Sequence, residues 1–257
     1  MKIGIALSGG GVLGAAHIGA LKEIEKANIK IEYVCGASAG SIIGGIYSSS
    51  GIEGLEEFYN EISNKKGFSP NTRFQIQSPS RFFSELENTV SKYLEPKIDR
   101  PQIPFGAVAT NLETGLPELL QEGDKLKNIM ASCAYPGVFP IVRISSKLYV
   151  DGGIAVNLPA EFVKNECDFT IGSSIYSLPK IKKSYFDKNS RTRVLSRSLE
   201  IIENRLSYYQ ENYCDFCFKP QIKNLKWFHF WKLQEARDAG EANAKKQIND
   251  LVQLLNR

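Results

Sequence analysis

The feature that most constrains this chain is a rhythm. Short apolar runs of strand length alternate with helix-patterned stretches, and twice a small-residue, glycine-bearing turn joins one to the next. "KIGIAL" (2–7) passes through "SGGGVLG" (8–14) into a small-residue helix over 14–28, with Ile18, Leu21 and Ile24 on one face. "EYVCG" (32–36) passes through "ASAG" into helices near 39–50 and 52–64. Further strands are expected at "PFGAVAT" (104–110), "KLYV" (147–150) and "DFTIGSSI" (168–175), with a helix over 123–133. Strands that alternate with helices imply an α/β fold, a mostly parallel sheet between two helical layers.

The rhythm breaks twice. Residues 65–102, with "KKGFSPNTRFQIQSPSRFF" and a helix around 83–94, read as a cap or insertion. After Tyr176 an irregular piece precedes a long helix near 190–213 and closing helices near 229–256, a helical C-terminal part. No internal repeat and no linker divides the chain, so 1–257 is expected to form one domain. Its 257 residues, 42% hydrophobic and 23% charged, suffice for a sizeable core.

Charge and cysteine content narrow the function. A net charge of +4 without a basic run or a basic–aromatic pattern argues against nucleic acid. Five thinly spread cysteines fit a reducing compartment better than a disulfide framework, and a cytoplasmic protein is expected. "CDFC" (Cys214, Cys217) is half of a zinc-site spacing without a second pair; on a strand its thiols would face opposite ways. No apolar run approaches the roughly 20 residues of a membrane span. "MKIGIALSGGGVLGAAHIGAL" has the outline of a signal peptide, but three consecutive glycines and Ser8 interrupt it, and it reads as folded structure.

Three stretches carry chemistry. In "SGGGVLG" the frame G-x-G-x-x-G runs from Gly9 to Gly14, where glycines let the backbone turn tightly and aim N–H groups at an anion. The same frame serves dinucleotide folds or a purely structural turn. Glu32 lies at about the spacing of a ribose-binding acid, but it precedes the second strand instead of closing it. In "YVCGASAGSII" Ser38 occupies G-x-S-x-G, with Gly36, Ala37, Ala39 and Gly40 small enough for a strained strand-to-helix turn. That serine is either a nucleophile facing a helix N-terminus or a simple N-cap. In "LYVDGGIAVNLP" Asp151 ends an apolar strand beside Gly152 and Gly153, on the edge where parallel sheets place ligands, or merely in a common Asp-Gly turn.

Together the three stretches resemble the patatin-like phospholipases, a family of lipid acyl hydrolases. The family's oxyanion motif matches Gly9 to Gly14, its G-x-S-x-G matches Gly36 to Gly40, and its D-G-G/A matches Asp151 to Gly153. "ATNLETG" (109–115) and "ASCAYPGVFPIV" (131–142) also look like family blocks, and the resemblance covers about residues 3–175. It implies a Ser38–Asp151 dyad with no histidine. Ser38 is the nucleophile, Asp151 the proton acceptor, and N–H groups of Gly9, Gly10, Gly11 and Val12 form the oxyanion hole. It further implies a lipid substrate and peripheral contact with a membrane surface, with no metal, no nucleotide and no other cofactor. Leu13 departs from the family, which often carries Arg or Lys there.

Rival readings remain at this level. A Ser38–Asp151–His229 triad would keep the chain order of α/β-hydrolases, although only one strand–helix unit precedes the turn. A catalytically silent lipid-binding protein on the same fold is another. His17, on the first helix, reads as a packing or hydrogen-bonding residue. "LKWFHFWK" (225–232) reads as core packing or as an interfacial anchor.

Overall fold

The computed structural model describes residues 1–65, 78–95, 102–175, 178–186, 191–222 and 225–256. The chain opens with β1 (Ile3–Leu7), passes a 3-10 turn at Gly11–Gly14 and enters α1 (Ala15–Lys26). Next come β2 (Tyr33–Ala37) and α2 (Ala39–Ser63), the latter broken at Gly51, where φ is 68° and ψ is −163°. That break matches the two helices expected on either side of it. α3 (Pro79–Ser91), β3 (Phe105–Asn111), β4 (Pro117–Leu120), α4 (Lys125–Ser132), β5 (Val142–Ile144) and β6 (Lys147–Asp151) follow. α5 (Ala160–Lys164), β7 (Phe169–Ser173), α6 (Arg191–Gln210), β8 (Phe216–Phe218) and α7 (Leu233–Leu255) complete the fold.

Among the described residues, eight strands form one sheet in the order β5-β6-β3-β2-β1-β7-β8, with β4 also paired to β3. From β3 to β8 every pairing is parallel, whereas β4, β5 and β6 join antiparallel. The sheet is therefore mixed but mostly parallel between helical layers, as the alternation implies. β1, β2 and β3 are almost wholly buried, the signature of strands covered on both faces.

The larger core lies between the sheet and α1, α2, α4 and α7, built on Leu21, Ile24, Ile46, Leu55 and Ile129. A smaller one seats Leu158 and Val163, around α5, on the other face against Ala6 and Val108.

Two expectations need correction. The C-terminal part is not purely helical, because β8 pairs with β7 inside the central sheet. Cys214 precedes β8 instead of lying on it, so its thiol does not point away from that of Cys217. A Cβ at Gly172 would meet both sulfurs, at 2.5 and 2.9 Å. Of the 65–102 segment, α3 packs on α2 and α4, while residues 66–77 and 96–101 lie outside the described residues. Among the described residues, no helix is long and apolar enough to cross a membrane.

Candidate active site

Register brings the two key side chains together. Val108 and Ala109, consecutive on β3, pair with Ala37 at the end of β2 and with Asp151 at the end of β6. Ser38 follows Ala37 directly and starts α2. Its Oγ donates to Asp151 Oδ2 at 2.7 Å. No imidazole stands between them. His229, the third member of the rival triad, instead uses Nδ1 to accept from the Lys226 N–H at 3.3 Å and packs its ring on Phe228 and Trp231.

The turn around Ser38 is strained and multiply held. Its φ of 51° and ψ of −124° lie where non-glycine residues rarely sit. The Ser38 N–H donates to Ser132 Oγ at 2.8 Å, and that hydroxyl in turn donates to the Val108 carbonyl at 2.6 Å. The Ser38 carbonyl accepts from Ser41 Oγ at 2.6 Å and Cys133 Sγ at 3.2 Å. The flanking glycines have a steric reason: a Cβ on Gly36 would overlap the Gly40 carbonyl, and one on Gly40 would overlap the carbonyl of Leu7. Ser132 went unrecognised in the sequence, where it sits unmarked inside "ASCAYPGVFPIV".

Asp151 is held as firmly. Its N–H donates to the Ala134 carbonyl, its carbonyl accepts from Thr110 Oγ1, and its Oδ1 accepts the Gly153 N–H at 2.8 Å. The side chain is buried, and burial raises its pKa from 3.8 to about 7, against the lowering effect of the Ser38 and Gly153 hydrogen bonds. A carboxyl poised near neutrality is matched to proton transfer at neutral pH.

The glycine-rich loop corrects part of the expected oxyanion hole. The Gly9 N–H donates to the Asn157 carbonyl at 3.0 Å, and the Val12 N–H donates to the Trp227 carbonyl at 2.9 Å. Neither is available to an oxyanion. Among the described residues, the N–H groups of Gly10 and Gly11 have no protein acceptor, and both residues line the cavity that Ser38 and Asp151 line. Gly11 has φ of 58°, and a Cβ there would lie 2.6 Å from the Trp227 carbonyl oxygen. Gly14 packs against Ala39, so the loop and the start of α2 are in contact.

Beneath the loop lies His17. A backbone carbonyl can only accept, so its Nε2 donates to Ser8 O at 2.9 Å and its Nδ1 accepts from Ser173 Oγ at 2.8 Å. Burial lowers its pKa to about 4, so the ring is neutral at neutral pH. Ser8 Oγ accepts the Ile175 N–H at 2.9 Å and donates to Gly9 O at 3.2 Å. His17 therefore fixes the loop from below without facing the reacting centre.

The site opens into a cavity of about 120 Å³ with a largely apolar wall that includes Ile42, Ile62, Phe82, Phe139 and Phe230. Glu203 of α6 also lines it, and burial together with the nearby Asp151 charge raises its pKa to about 8. A smaller recess adjoins the loop, walled by Leu13, Asn157, Glu200, Asn204 and Lys226. Leu13, where the family often has a cation, is buried, and the cation of that recess comes from Lys226. Trp227 supports the loop and lines the cavity, and the 225–232 aromatics are buried or half-buried, the packing role among the two expected. Glu203 and Trp227 carry no local sequence signal, because both lie well beyond Asp151, outside all three motifs; Asn157 stands inside "LYVDGGIAVNLP" but has no mark of its own there.

The chain is similar to several known proteins. A patatin-like phospholipase domain-containing protein of Caenorhabditis elegans is 25% identical over 97% of this chain and 21% of its own length. A lysophospholipase of Mycosarcoma maydis is 30% identical over 62% of this chain and 9% of its own. An uncharacterized NTE family protein of Mycobacterium bovis is 30% identical over 68% of this chain and 49% of its own. The chain thus spans at most about half the length of these relatives. Among solved structures, VipD from Legionella pneumophila shares the fold, with a TM-score of 0.51 and 12% identity over 95% of this chain and 67% of that one. The sequence profile of the patatin-like phospholipases matches residues 5–164, more than half of the chain, which belongs to that family.

Proposed function

We propose that the chain is a serine lipid acyl hydrolase working through a Ser38–Asp151 dyad. The observation that carries this reading is the direct 2.7 Å hydrogen bond from Ser38 Oγ to Asp151 Oδ2 on the wall of an apolar cavity. Asp151 takes the Ser38 proton as Oγ attacks the ester carbonyl. The N–H groups of Gly10 and Gly11, with the positive N-terminal end of α2, stabilise the developing oxyanion. As the tetrahedral intermediate collapses, the C–O bond to the leaving alcohol breaks and Asp151 returns the proton to that oxygen. An acyl-Ser38 ester remains. Water then attacks it, Asp151 accepts the water's proton, and the fatty acid departs as Ser38 recovers its hydrogen.

The apolar wall suits an acyl chain, although about 120 Å³ is close to the roughly 150 Å³ that holds benzene. In this geometry the cavity takes a short acyl group or the first carbons of a long one. The protein acts on lipid at a membrane surface from the cytoplasmic side and uses neither metal nor nucleotide. A panel of phospholipids, lysophospholipids and p-nitrophenyl esters, with Ser38→Ala as control, tests the reading. Hydrolysis of at least one class, abolished in the variant, is expected, and a fluorophosphonate should label Ser38. A folded Ser38→Ala protein that keeps a tenth of the wild-type rate (about 1.4 kcal/mol of barrier) would sink it.

A further inference from the structure

α6 has two faces of opposite use. Glu200, Glu203, Asn204, Ser207 and Gln210 point inward: Glu203 lines the catalytic cavity, Ser207 Oγ accepts from Asn157 Nδ2 at 2.8 Å, and Gln210 accepts from the Leu158 N–H at 2.8 Å. The opposite face is exposed at 191, 194, 195, 198, 201, 202, 205, 208 and 209, a stripe at helical spacing down the whole element. An outward helix face is ordinarily polar. This one presents Val194, Leu195, Ile201, Ile202, Tyr208 and Tyr209, each between 41 and 59% exposed.

The charges on the stripe select its occupant. Arg191 and Arg205 are its ionised side chains, and it holds no acid. The acids of α6 face the site, where Glu200 pairs with Arg197 at 2.8 Å. The Arg205 guanidinium lies over the Tyr208 and Tyr209 rings, 5.4 and 5.2 Å from their centroids, and donates to Tyr209 Oη at 3.0 Å. Tyrosine and arginine beside aliphatic residues is the chemistry of the boundary between acyl chains and anionic head groups. A second copy stacked stripe to stripe would bury its arginines with no carboxylate opposite, which is unfavourable.

We infer that the outward face of α6 docks on an anionic lipid bilayer, laying Leu195, Ile202 and their neighbours into the acyl boundary and Arg191 and Arg205 against phosphate. This deepens the lipid reading of the site and rests on it. The same helix walls the cavity on its inner side, so a docked bilayer lies about one helix diameter, roughly 10 Å, from the cavity.

The test uses the full chain carrying Ser38→Ala, so that binding is measured without hydrolysis. Its co-sedimentation with phosphatidylcholine vesicles, with and without phosphatidylglycerol, is compared with that of Leu195→Ser/Ile202→Ser and Arg191→Gln/Arg205→Gln derivatives. Binding to the anionic vesicles is expected, falling about tenfold or more in the first derivative. In the second, the preference for phosphatidylglycerol should disappear. On a Ser38 background the same surface variants should hydrolyse a soluble p-nitrophenyl ester at the parent rate, which separates loss of docking from loss of fold or chemistry. Failure of the parent to bind anionic vesicles would overturn the inference even if the soluble ester is turned over. Undiminished binding by Leu195→Ser/Ile202→Ser would overturn it too, as would a dimer in light scattering that this variant splits, since that assigns the stripe to a second copy.

Discussion

Replacing Asp151 by Asn separates the catalytic role proposed for the carboxyl from its effect on stability. Burial raises its pKa from 3.8 to about 7. An acid whose folded pKa lies above its unfolded value holds its proton more tightly in the native state. The native state is therefore progressively disfavoured as pH rises from 3.8 towards about 7, and the deficit is constant above that. At about 1.4 kcal/mol per pKa unit the full deficit is about 4 kcal/mol. Asn has the same shape, can accept the Gly153 N–H through Oδ1 and donate to Ser38 Oγ through Nδ2, and does not ionise. In urea unfolding near pH 8, Asp151→Asn should be more stable than wild type by roughly 2–4 kcal/mol, the difference shrinking towards zero near pH 4. Ester hydrolysis by the same protein should fall by about 10²-fold or more, and wild-type kcat/KM should rise through about pH 7. A stability difference that is flat with pH would refute the electrostatic argument. A variant that hydrolyses ester at near wild-type rate would refute Asp151 as the base.

His229→Asn should keep its rate within about tenfold of wild type, because general-base loss costs 10²–10⁴-fold; a folded, inactive variant in a p-nitrophenyl ester assay would restore the triad. Ser132→Ala removes the acceptor of the Ser38 N–H and the donor to Val108 O. It should lower the urea midpoint by the equivalent of about 1–3 kcal/mol and reduce kcat more than it raises KM, and an unchanged kcat would show that the turn holds itself. His17→Phe, which leaves Ser8 O and Ser173 Oγ without their partner, should lower fluorophosphonate labelling of Ser38. His17→Gln should restore part of it, and labelling that is equal in all three proteins would free the loop from His17.

The alternation of strands and helices was legible because β1, β2, β3 and β7 are buried on both faces and read as unbroken apolar runs. The elements that escaped are short and half-buried: β4 begins at Pro117 and is intermediate throughout, while Arg143 in the middle of β5 is exposed. With one face open and three or four residues each, neither yields a periodicity to read. Ser38 and Asp151 were legible because their strained or crowded turns demand small neighbours, which leaves a mark in the sequence. The Gly9 and Val12 N–H groups were misjudged for the opposite reason. Their acceptors, the Asn157 and Trp227 carbonyls, belong to the backbone, and any residue could supply them.

Three ionisable groups are buried or largely buried in or beneath the site, and the effect of His17 on stability opposes those of Asp151 and Glu203. His17 has its pKa lowered from 6.5 to about 4. Below pH 6.5 the unfolded chain takes up a proton that the native state refuses, so acidification disfavours the fold by up to about 3 kcal/mol by pH 4. Over the same interval Asp151 acts in the other direction, since its native-state deficit of about 4 kcal/mol shrinks as it regains its proton. Between pH 4 and 7 these two contributions nearly cancel, while Glu203, raised to about 8 by burial and the Asp151 charge, adds a deficit of the Asp151 sign that also shrinks on acidification. The carboxyl beside Ser38 and the imidazole beneath the loop thus offset each other across the range in which Asp151 titrates. Asp151→Asn removes part of the carboxyl side of that balance, and Glu203→Gln removes the rest. In Asp151→Asn/Glu203→Gln, stability should fall on acidification below pH 6.5 with the slope set by His17, a trend that the two carboxyls conceal in the wild-type protein.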